Sequence, residues 1–257
     1  MKNIFDIGAF NGMDGLCLAI INPDAKVYAF EANKYLIKTI KNNKTKLEKI
    51  FKIKLDNYFI YNYAVSNTSG YKNFYIAKNP TVSSLYRFSD TLEKHWQGFT
   101  EPHCHTVKVL KVKSIRLDDF CKFNKIKSID YLHCDTQGND LNVLKGLGRF
   151  ISLVKSGKLE SSISKEKKLY QNNYVLRDMI YFLKKNSFKI TKIKGIKSAR
   201  YNEVDIFYER NKIKLNVNYT THYFEEIFDK KFSFINYLSY FLIILYFKFL
   251  RLKNYIF

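Results

Sequence analysis

The chain lacks the features of several large protein classes. Its four cysteines form no CxxC pair and no regular spacing, so reduced cytosolic thiols are expected rather than a disulfide framework. No apolar leader precedes the first predicted strand, which begins almost at Met1, so we expect no secretory signal and a cytoplasmic protein. There is also no internal repeat.

Acidic residues are scarce: 23 Asp and Glu stand against 44 Lys and Arg, a net charge of +21. Such a charge suggests nucleic acid or an anionic membrane as partner. The lysines, however, are scattered among many Asn, Ile, Tyr and Phe residues, a bias that an AT-rich genome imposes whatever the function. Since no arginine-rich or RNA-recognition motif accompanies them, a nucleic-acid partner is not expected.

A glycine-spaced loop follows the first apolar stretch. Residues 6–12 read Asp-Ile-Gly-Ala-Phe-Asn-Gly, directly after Ile4 and Phe5. A strand that runs into such a loop lets the backbone approach a ligand, because Gly8 and Gly12 can adopt positive φ. Taken alone, the loop is also compatible with a tight turn of purely structural purpose.

Two acidic residues indicate which ligand the loop binds. Asp6 ends the first strand, and Glu31 ends the second predicted strand, residues 26–31. A carboxylate in this position repels the pyrophosphate of a dinucleotide. S-adenosylmethionine (SAM) has no phosphate: Asp6 suits its cationic methionine end, directly or through water, and Glu31 can accept both ribose hydroxyls. The pattern therefore predicts SAM as the cofactor.

Strands and helices alternate along the chain, which predicts a parallel sheet covered by helices on both faces. The last two strands form an antiparallel hairpin, and a polar insertion over residues 79–105 is expected to contact substrate or act as a lid. The predicted strands are 3–7, 26–31, 59–65, 107–112, 129–134, 159–163, 188–193 and 204–208, with an extended stretch at 72–76. The predicted helices are 13–21, 33–50, one opening at 117–121, 139–145 and 175–186.

Six motifs in order make the chain resemble the FkbM-type family of SAM-dependent O-methyltransferases. They occupy residues 6–12, 28–33, 62–66, 83–85, 117–120 and 135–146. The resemblance, which runs from Ile4 to about Tyr208, implies a class I, Rossmann-like fold with a mostly parallel seven-stranded sheet. It implies methylation of a hydroxyl on a sugar or other small metabolite. It also implies cofactor contacts at Asp6, Gly8, Ala9, Asn11, Gly12, Glu31, Ala32, Asn62 and Ala64.

Two departures from the family pattern are visible. Members usually read Asp-Val-Glu-Gly-x-Glu after strand four, whereas this chain has Gln137 and Asp140 at the glutamate positions. Members also usually carry several dozen residues before the glycine loop. A catalytically impaired SAM-binding module is therefore the alternative to an active enzyme. An RNA methyltransferase is the less favoured alternative, because no Asn-Pro-Pro-Tyr-like motif follows strand four.

Asp135 is the first candidate for catalysis, since ligands of open α/β sheets bind at the carboxyl ends of strands. It can orient the acceptor hydroxyl or take its proton. His133 lies on the same face of the strand, one pleat deeper. The alternatives are a helix-capping role for Asp135 and a packed, backbone-bonded role for His133.

Gln137 and Glu160 are the candidate substrate-binding residues, and Tyr170 can reach the same cleft; ordinary strand-end polarity is the alternative for Glu160 and Tyr170. The segment 102–105, Pro-His-Cys-His, with His95 upstream, lacks a second ligand pair at metal-site spacing. No metal is expected.

The last part of the chain, residues 211–257, is predicted to be an extension to a catalytic domain spanning residues 1–210. Residues 232–247 are almost wholly apolar and flanked by lysine and arginine. They predict an apolar helix over about 231–250, too short to span a bilayer comfortably but suited to its interface. We expect peripheral association with the inner membrane face; burial against the domain or a second subunit, and disorder, are the alternatives.

Overall fold

The computed structural model describes residues 2–96, 104–196 and 202–210. Its elements alternate in the predicted way. In chain order they are β1 (Lys2–Ile7), α1 (Met13–Ile21), β2 (Ala25–Phe30), α2 (Leu36–Phe51), β3 (Tyr58–Tyr61), β4 (Ala64–Val65), β5 (Gly70–Ala77), α3 (Leu92–His95), β6 (Thr106–Ile115), α4 (Leu117–Phe123), β7 (Tyr131–Cys134), α5 (Asp140–Lys145), β8 (Ser156–Ser162), α6 (Leu176–Lys185), β9 (Phe188–Gly195) and β10 (Glu203–Arg210).

Seven strands form the central sheet, in the order β3-β2-β1-β7-β8-β10-β9. The first five strands in this order, namely β3, β2, β1, β7 and β8, run parallel. Strand β10 is antiparallel to both β8 and β9. The order reverses between β1 and β7, so the carboxyl ends of these two strands border the crevice where open α/β sheets bind ligands. The predicted Rossmann-like class I methyltransferase fold is confirmed.

The sheet is covered on both faces because most side chains of its central strands β1, β2 and β7 are apolar and buried. In β1, Phe5 packs on one face with an aromatic group that includes Tyr28, Phe30 and Phe120. Ile4 packs on the other face with residues of β2, α1 and α2. Burial on both faces removes continuous apolar runs from water, which is typical of parallel sheets.

The predicted strand 59–65 is interrupted in the structure. The Asn62 side-chain amide donates to the carbonyl oxygens of Glu31 (2.8 Å) and Ala32 (3.2 Å), and the chain leaves the central sheet there. Residues Ala64–Val65 then join a second, three-stranded sheet of order β4-β6-β5. The alternating pattern was read correctly as extended chain, but hydrophobic alternation cannot show that a strand changes sheets.

The polar insertion packs back onto the domain. Trp96 is fully buried, and its indole nitrogen donates to the carbonyl of Lys167 (3.2 Å). Phe88 stacks on Tyr170 with ring centroids 5.6 Å apart. The described parts of the insertion thus form one wall of the cleft. Residues 97–103, which include His103, lie outside the described residues.

The predicted apolar helix over about 231–250 also lies outside the described residues, so its existence and the domain boundary at 210 stay predictions. Within the three described ranges, no helix has the length and apolar character needed to cross a membrane.

Candidate active site

A cleft of about 860 Å³ opens at the carboxyl ends of the parallel strands. The glycine loop after β1, the end of β2 and the loop after β7 form one part of its wall, and β8, β10 and the insertion form the rest. Its size lies within the range of pockets that hold cofactors together with small substrates.

The glycine loop is held against its neighbours by its backbone. The amides of Gly8 and Ala9 both donate to the carbonyl of Phe30, at 2.9 and 3.0 Å. Gly8 has φ +85°, and a Cβ there would lie 1.8 Å from the Asp135 carbonyl oxygen. Gly12 has φ +82° and begins α1; a Cβ there would meet Ile40 at 2.7 Å. Both glycines are therefore required by packing, and Gly8 brings the loop next to Asp135.

Glu31 lies at the end of β2 and is buried. Its two carboxylate oxygens accept the backbone amides of Phe10 and Asn33, each at 2.7 Å. Burial raises the pKa of Glu31 to about 7, and these two hydrogen bonds oppose that shift. Each oxygen keeps a further lone pair, and Glu31 lines the cleft, so it can still accept ligand hydroxyls.

The other predicted cofactor residues fall into two groups. Those that line the cleft with Gly8 and Glu31 are Ala9, Asn11, Ala32 and Ala64. Asn62 is exposed and holds the carbonyls of Glu31 and Ala32, while Gly12 packs against α2. Neither of these two is part of the cleft lining, although Asn62 fixes the strand end that carries Glu31.

Asp6 is fully buried beneath the loop, and its side chain is paired with His133: Oδ1 lies 2.9 Å from Nδ1. Burial by itself lowers the pKa of His133, but the hydrogen bond to Asp6 reverses this and raises the pKa to about 9. His133 is thus a protonated partner of a buried carboxylate at neutral pH, bonded to a side chain rather than to backbone. Asp6 Oδ2 has no hydrogen-bond partner among the described residues.

Asp135 faces the cleft at the end of β7, where Gln137 holds its side chain. The Gln137 amide donates to Asp135 Oδ1 (2.7 Å) and to Glu160 Oε2 (3.1 Å), and its oxygen accepts the hydroxyl of Tyr170 (2.7 Å). The predicted residues Asp135, Gln137, Glu160 and Tyr170 therefore form one network. Helix capping is not the role of Asp135, because Asp140 accepts the amide and hydroxyl of Thr136 in the turn before α5.

Glu203, Asp205 and Lys158 complete this end of the cleft, and all three were missed from the sequence. Asp205 lies directly opposite Glu160 across the β8–β10 pair and 3.3 Å from the Lys158 ammonium. The alternation of acids at positions 203 and 205 was the available signal, since period-two spacing places them on one face. The antiparallel register that turns this face towards Glu160 is visible only in the structure.

Burial dominates the titration of this acidic group. It raises the pKa of Glu160 well above its ordinary value, with the charge of Asp135 as the next cause. It also raises the pKa of Glu203 to about 7, although a hydrogen bond with Glu160 opposes the shift. The raised pKa of Glu160 favours its protonated form, which can donate a hydrogen bond within this group of acids.

In the part of the chain that the structure describes, no group of three His, Cys, Asp or Glu side chains is arranged to hold a metal. Cys104 is buried in the insertion with Trp96 and Tyr170, which gives it a packing role there.

Residues 6–190 match the Methyltransferase FkbM domain. The chain belongs to the FkbM methyltransferase family. It is 23% identical over 188 residues to the 2-O-methyltransferase NoeI of Sinorhizobium fredii. These aligned residues cover 70% of each protein.

Two solved structures are similar to this chain at low sequence identity, and the first of them shares the fold. The methyltransferase FkbM of Methylobacillus flagellatus superposes with a TM-score of 0.50 at 16% identity, covering 80% of this chain. This chain spans 43% of the length of that methyltransferase. M. capricolum TrmK, solved with the cofactor product S-adenosyl-homocysteine, has a TM-score of 0.45 and 14% identity, with 98% of this chain and 90% of the other covered.

Membership of this family supports the prediction of a methyltransferase domain that uses SAM. The cleft fits this cofactor in two respects. The glycine loop brings its backbone to the cleft beside Asp135, and the buried carboxylate of Glu31, held by two backbone amides, faces the same space. A ligand with hydroxyl groups can satisfy the free lone pairs of Glu31.

Proposed function

We propose that the chain transfers a methyl group from SAM to a hydroxyl of a sugar, in a glycan or a lipid-linked precursor. The observation that carries the proposal is the position of Asp135, whose carboxylate faces the cleft beside the glycine loop and is held there by Gln137. A carboxylate fixed next to the cofactor loop is suited to orient a hydroxyl and accept its proton.

The donor half of the cleft, defined as the glycine loop with Glu31, Ala32 and Ala64, would hold the cofactor. Glu31 would accept the ribose hydroxyls, and the backbone after β1 would contact the methionine part. Asp6 would act from beneath the loop, since its carboxylate is paired with His133 and adds negative charge near the sulfonium. The bound cofactor supplies a methyl group on a positively charged sulfur.

The acceptor half, defined as Asp135, Gln137, Lys158, Glu160, Glu203 and Asp205, would hold the hydroxyl. Asp135 would orient the hydroxyl and accept its proton as the bound cofactor supplies the methyl group to the hydroxyl oxygen. Gln137 keeps Asp135 in place through this step, because its amide donates at 2.7 Å. Loss of a correctly positioned proton acceptor costs roughly 10²–10⁴ in rate.

Two observations support a sugar as the acceptor. One relative of this chain is named a 2-O-methyltransferase, although at 23% identity. The acceptor half also offers several carboxylates that line the cleft as hydrogen-bond acceptors, which matches a molecule with several hydroxyl groups.

Calorimetric titration of the full chain with SAM, followed by transfer of a labelled methyl group to a panel of oligosaccharides, tests this proposal. We expect SAM binding and an alkali-stable methyl ether on sugar. SAM binding without transfer to any hydroxyl acceptor indicates the catalytically impaired binding module. Absence of SAM binding rejects both the sugar O-methyltransferase and the impaired SAM-binding module.

We further propose that residues beyond 210 hold the enzyme at a membrane surface, where it meets a lipid-linked acceptor. The support is the apolar run 232–247 with its basic flanks. The full chain should co-sediment with anionic vesicles, and a chain ending at Asp229 should remain folded, bind SAM and stay in the supernatant. Unfolding of the shortened chain, or failure of the full chain to sediment, assigns the segment to the domain core or to a subunit interface.

A further inference from the structure

A second, smaller pocket adjoins the cleft. Amide side chains dominate its lining, so we call it the amide pocket. Its polar lining residues are Ser66, Asn67, Lys72, Asn73, Tyr86, Asn139 and Asn142. Leu85 and Asn139 line both the amide pocket and the cleft, so the two spaces share a wall.

The wall is tightly organised. Asn139 donates to the carbonyl of Val65 at 2.8 Å, and its oxygen accepts the Asn142 amide at 3.1 Å. The Asn142 amide also donates to the hydroxyl of Tyr86 at 2.6 Å. Asn139 and Asn142 are 2% and 8% exposed, so their side chains are fixed rather than solvated. Asn139 also lies four residues after Asp135, which ties the pocket to the acceptor half.

One acceptor in this wall is unused. Asn142 Oδ1 is buried and has no hydrogen-bond partner among the described residues, although the Asn142 nitrogen has two. A buried acceptor without a donor is unfavourable, by about 1–3 kcal/mol in general. This oxygen is shielded from the pocket space, so a ligand would meet the other lining side chains, such as those of Lys72 and Asn73.

The chemistry of the amide pocket differs from that of the acceptor half. None of the described residues that line it is acidic, and Lys72 is its single cation. Amides and hydroxyls both donate and accept hydrogen bonds, as sugar hydroxyls do. Its volume of about 210 Å³ corresponds to about seven water molecules at about 30 Å³ each, which is room for one sugar ring.

We propose that the amide pocket binds the neutral sugar residue next to the one that is methylated. The acceptor is then an oligosaccharide or glycoside of at least two sugar units, with one unit at Asp135 and the next beyond Leu85 and Asn139. This inference rests on the proposed function, since it names a second part of the same acceptor.

Binding of the full chain to an array of neutral mono- and oligosaccharides, without SAM, is the test. The wild type should be retained on neutral oligosaccharides and not on monosaccharides. The double variant Lys72→Ala, Asn73→Ala should bind about two- to tenfold more weakly for each hydrogen bond lost. Lys111→Ala is the matched control, because Lys111 pairs with Asn73 across the β5–β6 hairpin and does not line the pocket.

Asn142→Ala probes the inner wall of the amide pocket, and a thermal melt shows whether this variant is folded. If it is unfolded, the glycan retention of the Lys72→Ala, Asn73→Ala double variant tests the proposal. Equal retention of wild type and double variant overturns the proposal. So does retention on single sugars, on phosphorylated or sialylated glycans only, or on no glycan. A separate SAM titration distinguishes the two failures: loss of SAM binding with intact glycan retention rejects the proposed function and not the pocket.

Discussion

The two halves of the cleft use carboxylates in opposite ways. In the donor half, Glu31 is surrounded by backbone amides, which donate to both of its oxygens. In the acceptor half, Asp135, Glu160, Glu203 and Asp205 lie next to one another, with one amide from Gln137 and one ammonium from Lys158 among them. The donor half therefore provides hydrogen-bond donors to both oxygens of a single acid. The acceptor half instead places four acids close together with few donors among them.

The difference determines protonation. Amide donors favour the charged form of Glu31 and partly oppose the effect of its burial. In the acceptor half the neighbouring charges add to burial, so the pKa of Glu160 lies well above its ordinary value. The same functional group is therefore held by backbone amides on one side of the cleft and surrounded by other acids on the other side.

The sharpest test of this comparison is Asp135→Asn. We expect roughly 10²–10⁴ slower methyl transfer at saturating SAM, because the amide cannot accept the hydroxyl proton. SAM affinity, measured by calorimetry, should stay within about twofold since Asp135 belongs to the acceptor half. A variant that loses cofactor affinity but keeps its rate would show that the two halves have been assigned wrongly.

The donor half is tested by Glu31→Ala. Removing this buried carboxylate leaves the amides of Phe10 and Asn33 and the ligand hydroxyls unpaired, so SAM binding should weaken by about 1–3 kcal/mol. Calorimetry on the variant measures this, with the exposed Glu93→Ala as a control that should bind like the wild type. Unchanged affinity in Glu31→Ala removes Glu31 from the cofactor site.

The crowding of the acceptor half has a pH signature. Because burial raises the pKa of Glu203 from 4.5 to about 7, the folded chain binds this proton more tightly than the unfolded chain. The contribution of Glu203 to the free energy of unfolding is therefore fully present below about pH 4.5. It is lost as pH rises through about 7 and does not change above that pH. For one buried carboxyl the fall is about 1–3 kcal/mol.

Urea unfolding of the ligand-free chain across this pH range measures the fall in the free energy of unfolding. Glu203→Gln should reduce it and leave the larger part, which comes from Glu31, Asp140 and Glu160, whose pKa values are also raised by burial. Glu93→Gln should leave the whole profile unchanged. An identical pH profile in Glu203→Gln would mean that this carboxyl is not titrated by folding.

Local patterns in the sequence were enough to predict the fold and the places of the glycine loop and Glu31 in it. Hydrophobic alternation and helical periodicity depend on neighbouring residues, so β1, β2 and β7 were located within a few residues. The glycine loop and Glu31 follow directly from those strands, because a strand end and the turn after it are adjacent in the chain. The position of Asp135 facing the cleft follows in the same way from β7.

Tertiary structure alone decided the pairings between distant residues. Asp6 with His133, Gln137 with Glu160 and Lys158 with Asp205 are each set by strand register, which a single sequence does not specify. The same holds for the sheet change after Asn62 and for the shared wall at Asn139. Sequence determined which chemical groups the cleft contains; three-dimensional packing decided which of them share protons, because Coulomb and hydrogen-bond energies depend on distance in space.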